Sequence, residues 1–210
     1  MEITVIGATG TVGSRITTEA TWRGHHVRAV SRGSGPARPG VTPVAADVGS
    51  PRALADAVAG ADAVVLAVRP AAGHEEAIVG LTEPALDATA AAGVPLIVIG
   101  GAGSLRTPDN PATLVADDER YVPRAWRAVA SASTAQLRAC ERRPEVDWTY
   151  LSPPAVLAPG ERTGRYRRGT TVLLRAADGS SRISVEDLAV AVVDELENPG
   201  GERRITVSAS

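Results

Sequence analysis

Apolar residues fall into short, nearly continuous runs, separated by stretches in which they recur every three or four positions. The two patterns alternate along the chain. Continuous runs read as strands covered on both faces, and the wider spacing reads as helices that bury one side. Strands are therefore expected at Glu2–Ile6, His26–Ser31, 42–45, 61–67, 95–99, 147–151 and 203–207. Helices are expected at Thr11–Trp22, with Val12, Ile16 and Ala20 on one face, and at Pro51–Val58, where Pro takes a favoured early position. Three more follow at 74–92 (Ile78, Leu81 and Ala85 inward), 124–142 and Val185–Glu197 (Leu188, Val192 and Leu196 inward). Pro84 falls inside 74–92, and the conflict of its ring with the Gly80 carbonyl predicts a kink; Gly93 closes that helix. Ser184 caps the last helix, with Asp187 three residues on as its capping-box partner. This alternation predicts an α/β fold, a doubly wound parallel sheet flanked by helices, with ligands at the carboxyl ends of the strands. No linker or composition break divides it, so 1–210 reads as one domain, with about 152–182 supplying substrate-side loops.

The first strand runs straight into Gly7-Ala8-Thr9-Gly10-Thr11-Val12-Gly13. A Gly-rich strand-to-helix turn lets backbone approach a pyrophosphate, and the helix N-terminus offers that anion unpaired N–H groups and a positive dipole end. The glycines are spaced three and three, unlike the two and three of the usual dinucleotide fingerprint. An ordinary tight turn is the alternative; position at the N-terminus, between a strand and a helix, favours the nucleotide. The second strand ends in Ser31-Arg32. An acidic residue there would bind the ribose 2′-hydroxyl of NAD, whereas Arg accommodates the 2′-phosphate of NADP. Arg32, helped by Ser31 and by Ser34 or Arg38, therefore argues for NADP(H) over NAD(H), against the alternative of a solvated surface Arg.

Composition narrows the classes. No stretch approaches the length of apolar chain that spans a bilayer, and the N-terminus has no basic segment followed by an apolar signal region, so secretion is not expected. A lone Cys140 excludes an internal disulfide and fits a reducing cytoplasm. The net charge of −2 gives no attraction to nucleic acid or membrane, leaving a small-molecule substrate as the expected partner and the oligomeric state open. No Cys/His grouping has metal-ligand spacing, and Gly-x-Ser-x-Gly is absent. All 22 basic residues are Arg, so any mechanism that needs a lysine ammonium is excluded.

Four segments together carry a resemblance: Gly7–Gly13, Asp47-Val48, Gly100-Gly101-Ala102-Gly103-Ser104-Leu105, and Asp147-Trp148-Thr149-Tyr150-Leu151-Ser152-Pro153. In them, and in 159–164 and 184–197, the chain resembles the atypical short-chain dehydrogenase/reductase superfamily. The similarity is to its NAD(P)H-binding group, which includes flavin reductase-like and biliverdin-IXβ reductase-like proteins. The resemblance implies a single Rossmann-type domain and a set of roles. Gly7, Thr9, Gly10, Thr11, Val12 and Gly13 would line the pyrophosphate, and Arg32 would meet the adenosine phosphate. Asp47 and Val48 would hold the adenine, and Leu66, Ala67 and Val68 would back the cofactor ribose. Gly101, Ala102, Gly103 and Ser104 would border the nicotinamide, and Ser152 and Pro153 would flank its carboxamide. A flexible loop is the alternative for 100–103.

Most short-chain dehydrogenases use a Tyr with a Lys four residues on; here Tyr121 is followed by Ala125, and no lysine exists. Hydride transfer can survive that loss, because the cofactor carries the chemistry. Flavin or quinone reduction needs less help from a protein acid, since solvent can protonate the product. Ser104 could polarise a carbonyl, His74 could donate a proton, and Tyr121 could act from a substrate-side cover; capping, solvation and packing are their respective alternatives. His25 and His26 precede their strand and read as structural or exposed. Arg162, Arg165, Arg167 and Arg168, with Tyr166, could draw an anionic substrate, against the slightly favoured alternative of a solvated loop or hairpin. The leading reading is an NADPH-dependent reductase of a small conjugated acceptor such as a flavin or quinone. A non-catalytic NADP(H)-binding regulator or redox sensor, and a redox-neutral isomerase or epimerase, stay open beside it.

Overall fold

The computed structural model describes the chain from Met1 to Ser210 except Ser34 and Pro36. Ser34, one of the residues read as a helper of Arg32, thus lies outside the described residues. The described residues form ten strands and five α-helices, beginning with β1 (Glu2–Ile6), α1 (Thr11–Trp22), β2 (His26–Ser31), β3 (Val41–Ala45), α2 (Pro51–Val58), β4 (Ala63–Leu66), α3 (Ile78–Ala92) and β5 (Leu96–Ile99). After these come α4 (Arg127–Glu141), β6 (Trp148–Ser152), β7 (Val156–Ala158), β8 (Tyr166–Gly169), β9 (Arg182–Ser184), α5 (Val185–Glu197) and β10 (Arg204–Ala209). One eight-stranded sheet has the order β3-β2-β1-β4-β5-β6-β10-β8, and β7 pairs with β9 apart from it. Every pair in the large sheet is parallel except β10 with β8. Reversal of strand order on either side of β1 and β4 opens a crevice at their carboxyl ends, where such sheets bind ligands.

Alternate side chains of the strands feed two cores. Ile6, Leu66, Val98 and Tyr150 face α2, α3 and α4, meeting Leu54, Leu86 and Leu137. Ile3, Val5, Val65 and Leu151 face α1 and α5, meeting Ile16, Leu188 and Val192. Both faces of the sheet are thereby covered, which is why the strands read as continuous apolar runs. A third, smaller cluster of Leu105, Val115, Val122, Ala130 and Leu173 packs the 105–122 segment against α4 and the 170s. The stretch between Asp109 and Arg124, which holds Tyr121, is thus part of a packed layer.

Local departures have identifiable causes. The 74–92 helix begins with a 3₁₀ turn at Glu75–Ala77, and α3 then runs unbroken through Pro84. Likewise 124–126 is a 3₁₀ turn ahead of α4. Ser184 does cap α5, accepting from the Asp187 N–H at 2.9 Å. Asp187, however, does not complete a capping box. Its buried carboxylate accepts from the backbone N–H groups of Thr163 and Gly164 (2.8 Å each) and from the Thr163 hydroxyl (2.6 Å). The segment around 160–166 is therefore a strap across α1 and α5, leading into β8.

An ion-pair cluster locks this strap down. Glu19 of α1, only 5% exposed, accepts two 2.7 Å bonds from Arg162 and one of 2.8 Å from Arg23. Arg23 also meets Asp194 and Glu197 of α5 at 2.7 Å. The Arg162 hydrogen bonds lead the effects that hold the Glu19 carboxyl below its ordinary value of 4.5. A lowered carboxylate pKa stabilises the fold above its unfolded value, and that contribution fades as acid protonates the group. Glu19→Gln should cost about 1–3 kcal/mol at neutral pH, between the values for exposed and buried pairs. In urea titrations the gap from wild type should close as pH falls below the ordinary carboxylate range; a pH-independent gap would remove the ionic explanation.

Candidate functional site

The turn after β1 is held by backbone. The N–H groups of Gly7 and Ala8 both donate to the Val30 carbonyl, at 2.9 and 3.1 Å, tying it to β2. Gly7 has φ +88°, and a Cβ there would lie 2.5 Å from the Ala67 carbonyl oxygen at the end of β4. A Cβ on Gly13 would lie 2.2 Å from the Gly7 carbonyl oxygen, so these two glycines allow strand, turn and helix to touch. Gly10 differs. Its Cβ would have Gly7 O at 3.3 Å and only Ala67 O, at 3.9 Å, besides, so space above it faces solvent. It occupies the N-cap of α1, and no side chain caps that helix. Thr9, Gly10 and Thr11 are exposed and Val12 half-buried around the open first turn. Uncapped N–H groups, a positive helix end and a cradle that a side chain would fill fit a pyrophosphate.

The rim follows the strand ends. Arg32, exposed just beyond β2, forms no ion pair or hydrogen bond among the described residues. Arg38 instead bridges to Val41 at the start of β3, the opposite edge of the sheet, and so leaves the phosphate set. Asp47, exposed after β3, accepts from the Gly49 N–H at 3.0 Å through one carboxylate oxygen, which leaves the other for an adenine amine. The Val48 side chain lies in the core beneath. At the end of β4, Leu66 is fully buried, while Ala67 and Val68 are half-buried beside the turn.

The 100–104 segment is a packed wall, not a flexible loop. A Cβ on Gly100 would fall 2.1 Å from the Tyr150 ring, one on Gly101 2.9 Å from Ser133 Cβ, and one on Gly103 2.3 Å from the Ala130 carbonyl oxygen. Ala102–Ser104 forms a 3₁₀ turn on α4 as a result. Ser104 is 1% exposed; its hydroxyl shares a 3.2 Å hydrogen bond with Ser152 and lies 3.4 Å from the Gly101 carbonyl oxygen. Arg204 holds its backbone carbonyl at 3.0 Å. Ser104 is thus placed to brace this wall, with its hydroxyl turned to Ser152 inside the protein. Ser152 and Pro153 are buried alongside. Tyr150 is a contributor that the sequence does not single out, since a Tyr inside a strand reads as core. Its hydroxyl donates to the Ser133 carbonyl at 2.8 Å, and burial pushes its pKa upward.

Other candidates disperse. His74 is exposed, with Glu76 3.8 Å away. Tyr121 Oη accepts from Arg175 Nη1 at 3.2 Å and packs on the third cluster. His25 pairs with Glu197 and His26 with Glu2, far from the crevice. The arginines read as an anion lure are largely engaged: Arg162 with Glu19, Arg168 with Glu195 and Glu202, Arg167 with the carbonyls of Ala209 and Arg175. Within the stretch 152–182, expected to supply substrate-side loops, the strap is bound to α1 and α5. Cys140 is buried among apolar side chains, which pushes its thiol up to about 12 and keeps it inert. Sequence reasoning also passed over Arg69 and Trp126. They meet where the chain leaves β4 and where α4 begins, with the guanidinium 5.9 Å from the indole centroid; the signal was a Trp at a helix start beside Arg124 and Arg127.

Residues 7–199 match the family model for NAD(P)H-binding proteins. A Burkholderia pseudomallei structure, provisionally named an exported protein, aligns with TM-score 0.90 at 40% identity over 99% of both chains. A Bacteroides thetaiotaomicron structure, provisionally named an epimerase, aligns with TM-score 0.89 at 35% identity over 99% of this chain and 96% of its own. A Streptococcus pneumoniae TIGR4 structure, provisionally named an NADH-flavin reductase, aligns with TM-score 0.86 at 27% identity over 100% of both.

The glycines should separate by role. Gly10→Val should abolish nucleotide binding in a calorimetric titration while leaving the melting temperature nearly unchanged. Gly13→Ala, which forces a methyl onto the Gly7 carbonyl, should cost about 1–3 kcal/mol of stability. A folded Gly10→Val protein with unaltered affinity would remove the pyrophosphate from this turn.

Proposed function

The chain belongs to the NAD(P)H-binding family, and from that premise we propose that it is an NADPH-dependent reductase of a small conjugated acceptor, flavin-like or quinone-like. The open, uncapped N-terminus of α1 beneath Gly10 is the observation that carries the reading. Beside it, Arg32 offers a guanidinium with no partner among the described residues where a 2′-phosphate would lie. Bound there, reduced nicotinamide supplies a hydride, and the acceptor takes it together with one proton from solvent.

The chain's own residues position and shield. Thr9 to Gly13 bind the phosphates, Arg32 selects NADP(H), and Asp47 takes the adenine amine. Gly101 to Ser104, braced by Ser152, Tyr150 and Arg204, hold the nicotinamide wall rigid. Among the described residues, the three candidate proton donors are otherwise placed: Ser104 is buried and bonded, His74 is exposed, and Tyr121 is held by Arg175. That suits acceptors whose products solvent can protonate. Cys140, buried and single, fits a reducing cytoplasm as the working compartment. No described helix is long and apolar enough to cross a membrane. NADPH oxidation followed over flavins, quinones and simple carbonyl compounds tests the reading. Turnover with the conjugated acceptors supports it; tight NADPH binding with no consumption by any of them would favour the regulator or a redox-neutral epimerase.

Two variant sets sharpen that test. Arg32→Ala should weaken NADPH by about 1–3 kcal/mol, the scale of a lost charge-assisted contact, and leave NADH nearly unchanged. Equal losses in parallel titrations would show that Arg32 does not read the 2′-phosphate. At saturating NADPH, Tyr121→Phe and His74→Ala should keep turnover within about tenfold of wild type, below the usual contribution of a positioned acid. Gly101→Ala should cost more, because its methyl meets Ser133 and shifts the wall. A thousandfold loss in Tyr121→Phe alone would identify a dedicated acid and return the function to carbonyl reduction.

A further inference from the structure

We infer that Arg69 and Trp126 form an acceptor subsite for a planar, conjugated anion at the mouth of the cofactor crevice; the inference rests on the reductase reading above. Trp126 stands at the N-terminal end of α4, and Arg69 reaches its ring from the segment after β4. Both elements lie at the carboxyl edge of the sheet, so the pair borders the place where an acceptor must approach the nicotinamide.

The argument is an internal comparison. The chain has three tryptophans, and each carries a guanidinium over its ring: Arg162 over Trp22 at 4.6 Å, Arg203 over Trp148 at 4.9 Å, and Arg69 over Trp126 at 5.9 Å. Two of these cations are fully occupied. Arg162 grips Glu19 with two 2.7 Å bonds, and Arg203 donates to the carbonyls of Val146 and Pro144 at 3.0 and 2.9 Å. Arg69 has no ion pair or hydrogen bond among the described residues. Glu75, whose carboxyl feels the Arg69 charge, is itself engaged by the Gly73 N–H at 3.1 Å. Trp126 is 55% exposed and Arg69 is exposed beside it, so beyond their mutual contact the indole surface and the guanidinium N–H groups have no partner among the described residues. Arg124, two residues before the indole, is exposed with no ion pair among the described residues and adds to the local positive field.

That combination selects ligand chemistry. An exposed indole stacks a flat conjugated ring, and an unspent guanidinium takes a carboxylate, sulfonate or phosphate on that ring's edge. A neutral flat acceptor gains only the stacking, and a non-planar anion gains only the charge. The subsite therefore discriminates among the conjugated acceptors that the cofactor site alone would accept.

The test is equilibrium binding to wild-type protein saturated with NADP⁺, so that nothing turns over. The probes are 1,4-naphthoquinone-2-sulfonate and its neutral parent 1,4-naphthoquinone. The sulfonate should bind about tenfold more tightly than the parent, the scale of one desolvated cation contact. Trp126→Ala should weaken both by about tenfold, and Arg69→Ala should erase the sulfonate's advantage without moving the parent. Trp22→Ala, which removes the saturated counterpart at the far end of α1, should change neither. Wild-type affinity in Trp126→Ala, a preference that survives Arg69→Ala, or failure of both quinones to bind would each overturn the subsite. Failure of NADP⁺ itself to bind would instead sink the reductase reading; titration of the same quinones into the nucleotide-free protein would then decide the subsite on its own.

Discussion

Backbone meets backbone at Gly7, and the site depends on that contact. The turn after β1 lies against the Ala67 carbonyl at the end of β4 on one side and against the first turn of α1 through Gly13 on the other, with no space for a methyl group at either place. Two bonds to the Val30 carbonyl fix it to β2 as well. Three strands and a helix therefore converge within one turn. The N-terminus of α1 is aimed at the carboxyl edge of the sheet, and Gly10 is left as the position whose missing side chain opens outward. The close packing that leaves no room at Gly7 and Gly13 is the same packing that leaves room above Gly10.

A second set of close approaches builds the opposite wall of the crevice. Gly100, Gly101 and Gly103 let the chain after β5 lie directly on Tyr150, Ser133 and Ala130. Burying this segment obliges its polar groups to find partners, and they do: Ser104 with Ser152, the Ser104 carbonyl with Arg204, Tyr150 with the Ser133 carbonyl, and Gln136 with Thr82. No buried side-chain nitrogen or oxygen among the described residues lacks a partner. Satisfied networks of this kind hold one conformation, since each broken bond would strand a polar atom in the interior. Such a wall can hold a bound molecule in one orientation without a change of its own.

The arginines divide into those committed to ion pairs and those left open at the sheet's carboxyl edge. Arg23 and Arg162 are committed to carboxylates on α1 and α5, and Arg168 to Glu195 and Glu202 near the end of α5. They bind the strap and β8 to the body of the domain. Arg32 and Arg69, both at the carboxyl edge, are uncommitted among the described residues. An arginine's availability is thus set by its neighbours in space, because the side chain itself is always charged.

The sequence by itself determined the elements and the close-packed glycine turn after the first strand. Continuous apolar runs and three-to-four spacing are local consequences of a sheet covered on both faces, so the bounds of β1, α1, β2, α2 and α5 could be read directly. The Gly7–Gly13 turn was legible because glycine spacing records where backbone must come close. Only the tertiary structure decided what individual polar side chains do. Asp187 had the spacing of a capping-box partner, yet the strap arriving from 163–164 supplies better donors and draws its carboxylate away. Ser104 and Tyr150 are joined to the wall by residues distant in the chain, and no spacing rule carries that. Arg162 and Arg69 look alike in sequence; one is spent on a glutamate from another helix and the other stands free of ion pairs among the described residues. Periodicity encodes which face is buried, whereas the partner of a polar group depends on which segments the fold brings within about 3 Å of it.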